Sequence, residues 1–386
     1  MQNWEKGELG KFVTLKRGFD LPQQKRDSGE IPIFSSSGIT GMHSKTMVKA
    51  PGVITGRYGT IGQVFFSSKD FWPLNTTLFV EDFHGNDEKF VYYFLKTLNW
   101  ENFASASAVP GINRNTVHKE LVCFPDIKSQ KKIAGILSLL DDKIETNQNI
   151  NDNLQQQAQA LFKKWFVDNP DAISWKEGTF SDLIEKTISG DWGKDSPSGN
   201  NTEMVYCIRG ADIPEVRAGN KGKMPTRYIL PKNYAAKQLV DGDIVVEVSG
   251  GSPTQSTGRA AAVSNALLAR YDKGMVCTNF CKALKPRAGY SMYVYYYWQY
   301  LYDRDIFFSY ENGTTGIKNL DINGFIETEP IAIASEDLVK KFDAICQTVF
   351  SKIYANGMEN EQLALVRDTL LPKLMSGEID VSAVQL

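Results

Sequence analysis

The sequence lacks the features that mark membrane and secreted proteins. No apolar run reaches the roughly eighteen residues that a membrane-spanning helix needs, and Met1–Lys6 has neither the basic nor the apolar region of a signal peptide. The five cysteines are an odd, scattered set, which argues against a disulfide framework. These absences predict a protein of the cytoplasm.

Motifs for metal binding and catalysis are also missing. Cys277 and Cys281 are wrongly spaced for a zinc knuckle, and none of the three histidines lies near a cysteine pair. Gly190–Asp195 only resembles a phosphate-binding loop, which needs Gly-x4-Gly-Lys-Ser/Thr. The Asn/Asp-Pro-Pro-aromatic segment of an adenine methyltransferase is absent, and no nuclease-like carboxylate cluster stands out. We therefore expect no metal site, no cofactor and no catalytic residue in this chain.

What the chain does contain is an internal repeat, in which the second half returns to landmarks of the first in the same order. The matched landmarks are Trp4–Leu9 with Trp175–Phe180, Val91–Phe94 with Val294–Tyr297, Gly111-Ile112 with Gly316-Ile317, and Pro125 with Pro330. The second copy carries insertions, chiefly between residues 190 and 260. The repeat predicts two related domains.

Each copy ends in a segment of about forty residues whose apolar positions alternate at spacings of three and four. Both segments place two asparagines at equivalent positions, and a buried asparagine fixes register because it needs a polar partner. Arg367 breaks the pattern, and we expect Val366 to take the buried place beside it. The predicted helix-pairing residues are Leu140, Ile144, Asn147, Asn151, Leu154, Val349, Ile353, Asn356, Asn360 and Leu363. The alternative is that each helix packs only on its own domain.

The predicted fold class is α+β. Two α/β globular domains form a pseudo-two-fold repeat and are separated by two long antiparallel helices in a coiled coil. The predicted boundaries are domain 1 at 1–128, helix 1 at 129–168, domain 2 at 169–334, helix 2 at 335–378 and a C-terminal tail at 379–386. Asp168–Asp171 combines proline with turn residues and should end the first helix.

Within the domains, short runs of β-branched and aromatic residues predict strands. These runs are Gly52–Gly56, Gln63–Phe66, Thr77–Val80 and Asp243–Val246. A short helix in each domain should hold Phe90–Leu98 and Tyr293–Tyr302. We expect its tyrosines to lie in the core, although a base-stacking platform is the alternative.

Charge is unevenly distributed along the chain, whose formal net charge is -2. Ile31–Lys69 and Val216–Val240 contain lysines and arginines but no acidic residue. Because these windows fall in corresponding parts of the two copies, they are typical of local phosphate binding. Solvated loops are the alternative.

Glycine-rich loops inside and beyond these windows suit close approach to DNA. Arg57 and Arg259 have the chemistry to bond a guanine edge, and Gln255 suits adenine. The loops at 110–114 and 314–318 each present a basic side chain near a glycine, although either loop could simply lead into a helix. The predicted DNA-contacting residues are Ser36, Ser37, Thr40, Lys45, Arg57, Tyr58, Asn113, Arg114, Lys221, Lys223, Arg227, Ser252, Thr254, Gln255, Arg259, Thr315 and Lys318.

Taken together, these features resemble the specificity subunits of Type I restriction-modification enzymes along essentially the whole chain. The segments that carry the resemblance are the Trp4 and Trp175 openings, Gly56–Gly62, Gly111–Asn113 with Pro125, Gln130–Ala134, Leu140–Ile144 and Leu370–Ile379. The second copy departs from the pattern where Val248–Arg259 replaces the Gly-Arg-Tyr-Gly segment of the first.

The resemblance implies that each domain reads one half of an interrupted, asymmetric double-stranded DNA target. It also implies that the helices fix the spacer and dock methylation subunits, expected in two copies, and that restriction and translocation subunits join the complex. S-adenosylmethionine, ATP and Mg²⁺ would bind those partners, not this chain. The alternative function is a coiled-coil adaptor that binds proteins instead of DNA. A lone transcription regulator is disfavoured, because such proteins normally read palindromes with a helix-turn-helix.

Overall fold

The computed structural model of the chain describes residues 4–105, 110–252, 254–313 and 317–385. The chain divides into two compact units. The first contains Met1–Lys143 together with Leu363–Leu386, and the second contains Ile144–Gln362. Both units mix helices with short strands, which confirms the predicted combination of α and β structure. None of the helices within the described ranges is long and apolar enough to cross a membrane.

Two long helices supply residues to both units. Helix α3 spans Ile127–Phe162, with 36 residues, and α9 spans Glu336–Met375, with 40 residues. The helical path of α3 continues as a wider turn over Lys163–Val167. Asn169 then caps a short turn over Pro170–Ser174, because its side chain accepts a hydrogen bond from the Asp171 amide at 3.0 Å.

The first unit has its shorter elements before α3. They are β1 (Trp4–Glu8), β2 (Thr14–Arg17), β3 (Ile31–Ser35), β4 (Gly38–His43), β5 (Gly52–Gly56), β6 (Val64–Ser67), β7 (Trp72–Pro73), β8 (Thr77–Asp82), α1 (Glu88–Thr97), α2 (Arg114–His118) and β9 (Leu121–Pro125). A four-stranded antiparallel sheet has the order β2-β8-β5-β6. A three-stranded sheet has the order β4-β3-β7, where β3 pairs antiparallel with β4 and parallel with β7. Strands β1 and β9 form an antiparallel pair.

The core of the first unit draws on both ends of the chain. Helix α1 buries Phe90 and Phe94 on one face, as its spacing predicts, and packs them with Phe124. Leu374 at the end of α9 belongs to the same cluster. Further along, the ammonium group of Lys132 donates a hydrogen bond to the Ser382 carbonyl at 2.6 Å. The C-terminal segment is therefore part of this unit.

The second unit contains the remaining shorter elements. They are β10 (Lys176–Gly178), β11 (Ile184–Ser189), β12 (Glu203–Ile208), α4 (Ile213–Arg217), β13 (Thr226–Ile229), α5 (Pro231–Lys237), β14 (Ile244–Glu247), β15 (Ser249–Gly250), β16 (Ala260–Ala262), α6 (Asn265–Leu268), β17 (Met275–Cys277), β18 (Cys281–Pro286), α7 (Ser291–Tyr302), β19 (Glu311–Asn312), β20 (Lys318–Leu320), α8 (Ile322–Thr328) and β21 (Ile331–Ile333). The sheet orders are β11-β18-β14-β16, β13-β12-β17, β15-β20-β19 and β10-β21. All pairings are antiparallel except that of β12 with β17.

Aromatic side chains fill the core of the second unit. Tyr293 and Trp298 of α7 are fully buried, and Phe162 of α3 and Phe342 of α9 belong to the same cluster. The two short helices and the core role of their tyrosines are therefore confirmed. The four predicted strands are also found, each within two residues of the predicted limits.

Within the second unit, α3 and α9 run antiparallel and meet through their asparagines. The side-chain amide of Asn147 donates to that of Asn360 at 2.9 Å, and Asn356 donates to Asn151 at 2.8 Å. All four side chains are buried. Asn151 donates further to the carbonyls of Ile353 and Ala218, at 3.0 and 3.1 Å. A loop of the second unit thus joins the two helices at this point, which the helical periodicity could not predict.

Arg367, not Val366, faces the other helix. Its guanidinium forms an ion pair with Asp141 of α3 at 2.6 Å, whereas Val366 is 46% exposed. The Tyr93 hydroxyl donates to the same carboxylate at 2.6 Å, and burial raises the pKa of Tyr93, so this donor stays protonated. The expectation that Val366 would take the buried place was therefore wrong, because a polar pair satisfies Arg367 where it lies.

Candidate nucleic-acid interface

A basic cleft of about 560 Å³ opens on the first unit. Strand β2 supplies Lys16 and Arg17 at its end, the segment after β5 supplies Arg57 and Tyr58, and the start of α2 supplies Asn113 and Arg114. The cleft lining carries four positive side chains and, among the described residues, no acidic one. Lys16 and Arg17 form ion pairs with Glu81 and Asp20, which lie outside the lining, whereas Arg57 and Arg114 have no acidic partner among the described residues. Such a surface can hold phosphate groups.

Arg57 is held in place by neighbouring groups of the same cleft. Its guanidinium carbon lies 4.4 Å from the centre of the Tyr58 ring, and Nε donates to the Ile112 carbonyl at 3.3 Å. The Ile112 amide in turn donates to the Arg57 carbonyl at 3.0 Å. The Nη1 and Nη2 amines make no hydrogen bond to the described residues. Since an arginine donates as a fork, the two Nη amines of Arg57 can donate two hydrogen bonds to one planar acceptor group.

The glycines around Arg57 are required by close packing. A Cβ on Gly111 would lie 2.1 Å from a ring carbon of Tyr58, and one on Gly56 would lie 1.9 Å from the Thr60 carbonyl oxygen. A side chain at Gly111 would push Tyr58 away from the segment that leads into α2, and one at Gly56 would distort the Arg57 loop itself. The glycine-rich sequence therefore brings the two loops of the cleft together.

Helix α2 is fixed to strand β2 through His118. The Leu15 amide donates to Nε2 of His118 at 2.8 Å, so this nitrogen is unprotonated. Burial, and then the nearby charge of Arg114, lowers the pKa of His118 and favours the neutral ring. Asn113 caps the same helix, since its side chain accepts from the Asn115 amide at 3.0 Å. Asn113 thus has a structural role as well as a place in the cleft.

The other predicted residues of the first unit lie on the β3–β4 hairpin. Ser36 and Ser37 form its turn, Thr40 is exposed on β4, and Lys45 is exposed beyond it. Ser36 borders the Arg57 loop, because its Oγ atom lies 3.3 Å from the Cβ position of Gly59. None of the four residues lines the cleft.

In the second unit, three predicted cations are paired with acids. Arg227 is 5% exposed, donates to the Trp192 carbonyl at 2.7 Å and forms an ion pair with Asp195. Arg259 binds both carboxylate oxygens of buried Glu247, each at 2.7 Å. Lys318 pairs with Glu311 at 2.7 Å. Arg227 lies in the acid-free window 216–240 and its partner Asp195 lies outside it, so a stretch without acids in sequence is not without acids in space.

The remaining predicted residues of this unit are more accessible. Lys221 lies 4.6 Å above the Tyr271 ring, and Lys223 is exposed. Thr254 and Gln255 are exposed at a turn closed by the Ser252 amide, which donates to the Gln255 carbonyl at 2.7 Å. Thr315 lies outside the described residues.

Lys16 and Arg17 are not among the predicted contacts, because they precede the first basic window and lie near Asp20 and Glu30 in the sequence. The structure brings them to the cleft through the pairing of β2 with β8. Two adjacent basic residues at the end of a strand were the sequence signal that could have predicted this part of the cleft. For metals, no group of three or more histidine, cysteine, aspartate or glutamate side chains in the described parts of the chain could hold an ion.

Comparison with known proteins agrees with this geometry. Residues 1–156 match the model of the Type I restriction modification DNA specificity domain. The chain is 26% identical over 317 residues to the Type I restriction enzyme MjaIX specificity subunit of Methanocaldococcus jannaschii, covering 76% of this chain and 69% of that protein. It is also 26% identical over 335 residues to the Type I restriction enzyme HindI specificity subunit of Haemophilus influenzae, covering 70% and 71%.

A solved structure shares the fold along nearly the whole chain. It is the Type I restriction-modification system S subunit from M. genitalium, with a TM-score of 0.59, 19% identity and coverage of 97% of this chain and 96% of that one. The family model and the curated relatives agree with each other, and this structure has the same fold. Residues 1–156 thus resemble the Type I restriction modification DNA specificity domain, and most of the chain is similar to Type I restriction enzyme specificity subunits.

Proposed function

We propose that this chain is the DNA sequence-specificity subunit of a Type I restriction-modification complex in the cytoplasm and reads a split, asymmetric target. The observation that carries the proposal is the cleft of the first unit. There the two Nη amines of Arg57, which make no hydrogen bond to the described residues, share the cleft with the side chains of Lys16, Arg17 and Arg114. Lysine and arginine contacts to phosphate position a protein on DNA, and an arginine fork on a base edge supplies specificity.

Two units of the same topology would read two half-sites. The order β2-β8-β5-β6 of the first unit corresponds to β11-β18-β14-β16 of the second. The order β4-β3-β7 corresponds to β13-β12-β17, with one antiparallel and one parallel pairing in each. This agreement supports descent of both target-recognition domains from one fold. Their loops differ, which supports an asymmetric target.

The long helices would form a coiled-coil spacer between the half-sites. At about 1.5 Å per residue, the 36 residues of α3 extend about 54 Å. Half-sites would then lie roughly one to two DNA turns apart, one turn being about 34 Å. The buried pairs of asparagines support this role, because they favour one register of the two helices over others.

Exposed apolar side chains on these helices would dock the methylation subunits. In the first unit, Leu139 and Leu365 are 61% and 69% exposed. In the second unit, Ile150, Ile345 and Met358 are exposed. Large apolar side chains left in water on a helix favour a protein partner. The chemistry of methylation and cleavage would reside in the partners, with S-adenosylmethionine, ATP and Mg²⁺ bound there.

Selection from a random duplex library tests the proposal. The chain, assembled with the methylation subunit encoded beside it, is expected to enrich one interrupted and asymmetric motif. Its binding to DNA should weaken steeply between about 50 and 200 mM salt, because contacts to phosphate release counterions from the duplex. Lack of enrichment, together with salt-independent binding of a protein partner, would instead favour the adaptor function.

A further inference from the structure

One edge of the second unit corresponds to the basic cleft of the first unit but carries apolar side chains. In the first unit, the Thr76 carbonyl accepts hydrogen bonds from the amides of Arg57 and Tyr58, at 2.8 and 3.2 Å. In the second unit, the Phe280 carbonyl accepts from Val248 and Ser249, at 2.9 and 3.2 Å. Val248 therefore takes the place of Arg57, and Phe280 takes the place of Thr76.

A second pair of hydrogen bonds fixes the same correspondence. The Leu320 amide donates to the Val248 carbonyl at 2.8 Å, as the Ile112 amide donates to that of Arg57. Each donor lies one residue before the residue that caps the next helix, Asp321 for α8 and Asn113 for α2. The edge that carries an arginine fork in the first unit thus carries apolar groups in the second.

Beside this edge lies a largely apolar cleft of about 440 Å³. Phe280 and Trp192 line it and are 59% and 37% exposed, although the Arg227 guanidinium covers one face of the Trp192 ring at 4.0 Å. Residues with exposed aromatic rings contribute strongly to recognition surfaces. The turn between β17 and β18 supplies Phe280, and the segment after β11 supplies Trp192.

The cleft also holds one positive side chain with a donor to spare. Arg209 donates through Nε and Nη2 to Asp212, at 2.9 and 3.1 Å, and through Nη2 to the Lys223 carbonyl at 2.8 Å. Its Nη1 amine makes no hydrogen bond to the described residues. Asp212 is 2% exposed, so the guanidinium, not the carboxylate, is the charged group that a ligand meets.

We propose that the second unit recognises the C5 methyl group of a thymine with the Trp192–Phe280 cleft, while Arg209 donates to a neighbouring phosphate or base acceptor. This inference rests on the proposed DNA-reading function and names the chemistry of its second half. Thymine is the base that presents a methyl group in the major groove, and apolar side chains recognise it there. The cleft lies next to the edge that corresponds to the Arg57 cleft, which argues for the same duplex as occupant.

Duplexes in which deoxyuridine replaces thymidine one position at a time test this assignment. Deoxyuridine keeps the base pair and removes only the methyl group. The assembled complex should bind one such duplex about fourfold more weakly, the value expected for one buried methyl group. The sensitive position should lie in the half-site that an Arg57→Gln variant leaves unchanged.

The Phe280→Ala variant should bind the thymidine and deoxyuridine duplexes with equal affinity, because it lacks the ring that contacts the methyl group. The variant should fold normally because the Phe280 ring is largely in water, and its backbone hydrogen bonds do not need the ring. Phe280→Leu should retain part of the discrimination. Ile173→Ala is the matched control, since Ile173 is 95% exposed in the second unit and does not line the cleft.

Three results would overturn the assignment. They are equal binding of all deoxyuridine duplexes by the unaltered chain, full discrimination in Phe280→Ala, and a second half-site made only of G·C pairs. Loss of methylation-subunit binding in Phe280→Ala, with DNA discrimination intact, would assign the cleft to a protein instead. In each case sequence-specific binding through the first half-site would persist, whereas failure of the proposed function would abolish it.

Discussion

Whether a single charged side chain can meet DNA depends on the groups that hold it. Arg57 is braced by a ring and a carbonyl and keeps its Nη amines available, whereas Arg227 and Arg259 are tied to Asp195 and Glu247. Both kinds of arginine look alike in sequence. What separates them is whether an acid from a distant segment reaches the guanidinium.

Arg57→Lys should weaken specific binding by about ten- to a hundredfold and leave non-specific binding nearly unchanged. Lysine keeps the charge but loses the two-bond fork, which is worth roughly 1–3 kcal/mol of discrimination. Competition between target and non-target duplexes measures both affinities. Lys69→Gln is the control, because Lys69 is exposed and does not line the cleft. Equal losses on target and non-target DNA would mean that Arg57 contacts only phosphate.

His118 should make the first unit less stable in mild acid. Its pKa in the folded chain is lowered, so the unfolded chain binds the proton more tightly. The stabilising contribution is complete above the unfolded pKa of about 6.5 and is lost as the pH falls toward the folded pKa. The slope contributed by this group is at most about 1.4 kcal/mol per pH unit.

Urea unfolding at pH 7.5 and pH 5.5 measures this contribution. His118→Gln should flatten the pH dependence, because a glutamine oxygen can accept from the Leu15 amide without titrating. An unchanged slope in the variant would show that other groups control acid stability.

At the scale of elements, local sequence patterns predicted helices and strands. They did not predict which distant segments contact each other. The segments Phe90–Leu98 and Tyr293–Tyr302 were correctly predicted as the helices α1 and α7, and short runs of β-branched and aromatic residues predicted β5 and β14. The sequence repeat was less reliable in matching the loops of the two units. The sequence matched Ile112 with Ile317, yet the hydrogen bonds match Ile112 with Leu320. Short glycine motifs cannot register two loops that differ in length.

The sequence predicted only part of the candidate site, because local motifs do not report contacts between distant segments. Arg57, Tyr58, Asn113 and Arg114 were identified from their own loops, and the structure brings them into one cleft. Lys16 and Arg17 reach that cleft only through strand pairing, which no local motif reports. Sequence windows also overestimated the free charge of the second unit, because ion pairs form across the fold.

Asn151→Ala should lower the free energy of unfolding by about 2–3 kcal/mol. The change leaves the Asn356 amide and the Ile353 and Ala218 carbonyls without this partner in a buried place, and unmade buried hydrogen bonds cost about 1–3 kcal/mol. Asn149→Ala on the exposed face of α3 should change stability little. Chemical denaturation compares the two variants. A loss no greater than that of the control would argue against a role for the asparagines in fixing the register.

Lengthening both long helices by four residues, after Lys143 and before Leu363, should widen the spacer of the target. Four helical residues add about 6 Å, or one to two base pairs at about 3.4 Å each. Sequencing of duplexes selected by the complex reports the spacer and the half-sites together. Altered half-site sequences with an unchanged spacer would contradict the role of the helices.

At the scale of the whole molecule, the account predicts that the two readers are independent modules. Exchange of residues 1–128 for those of another specificity subunit should change one half of the target and leave the other intact. The incoming domain must accommodate Leu374 and Val381, which belong to the core of the first unit. Selection from a random library measures the outcome, and a change in both halves would contradict modularity.

The most direct test of the central claim is genome-wide mapping of adenine methylation in a host without its own system. The host would express this chain with its neighbouring methylation subunit, and then each protein alone. The account predicts one interrupted, asymmetric methylated motif that appears only when both proteins are present. Methylation of the same motif by the partner alone would contradict the claim that this chain determines the sequence.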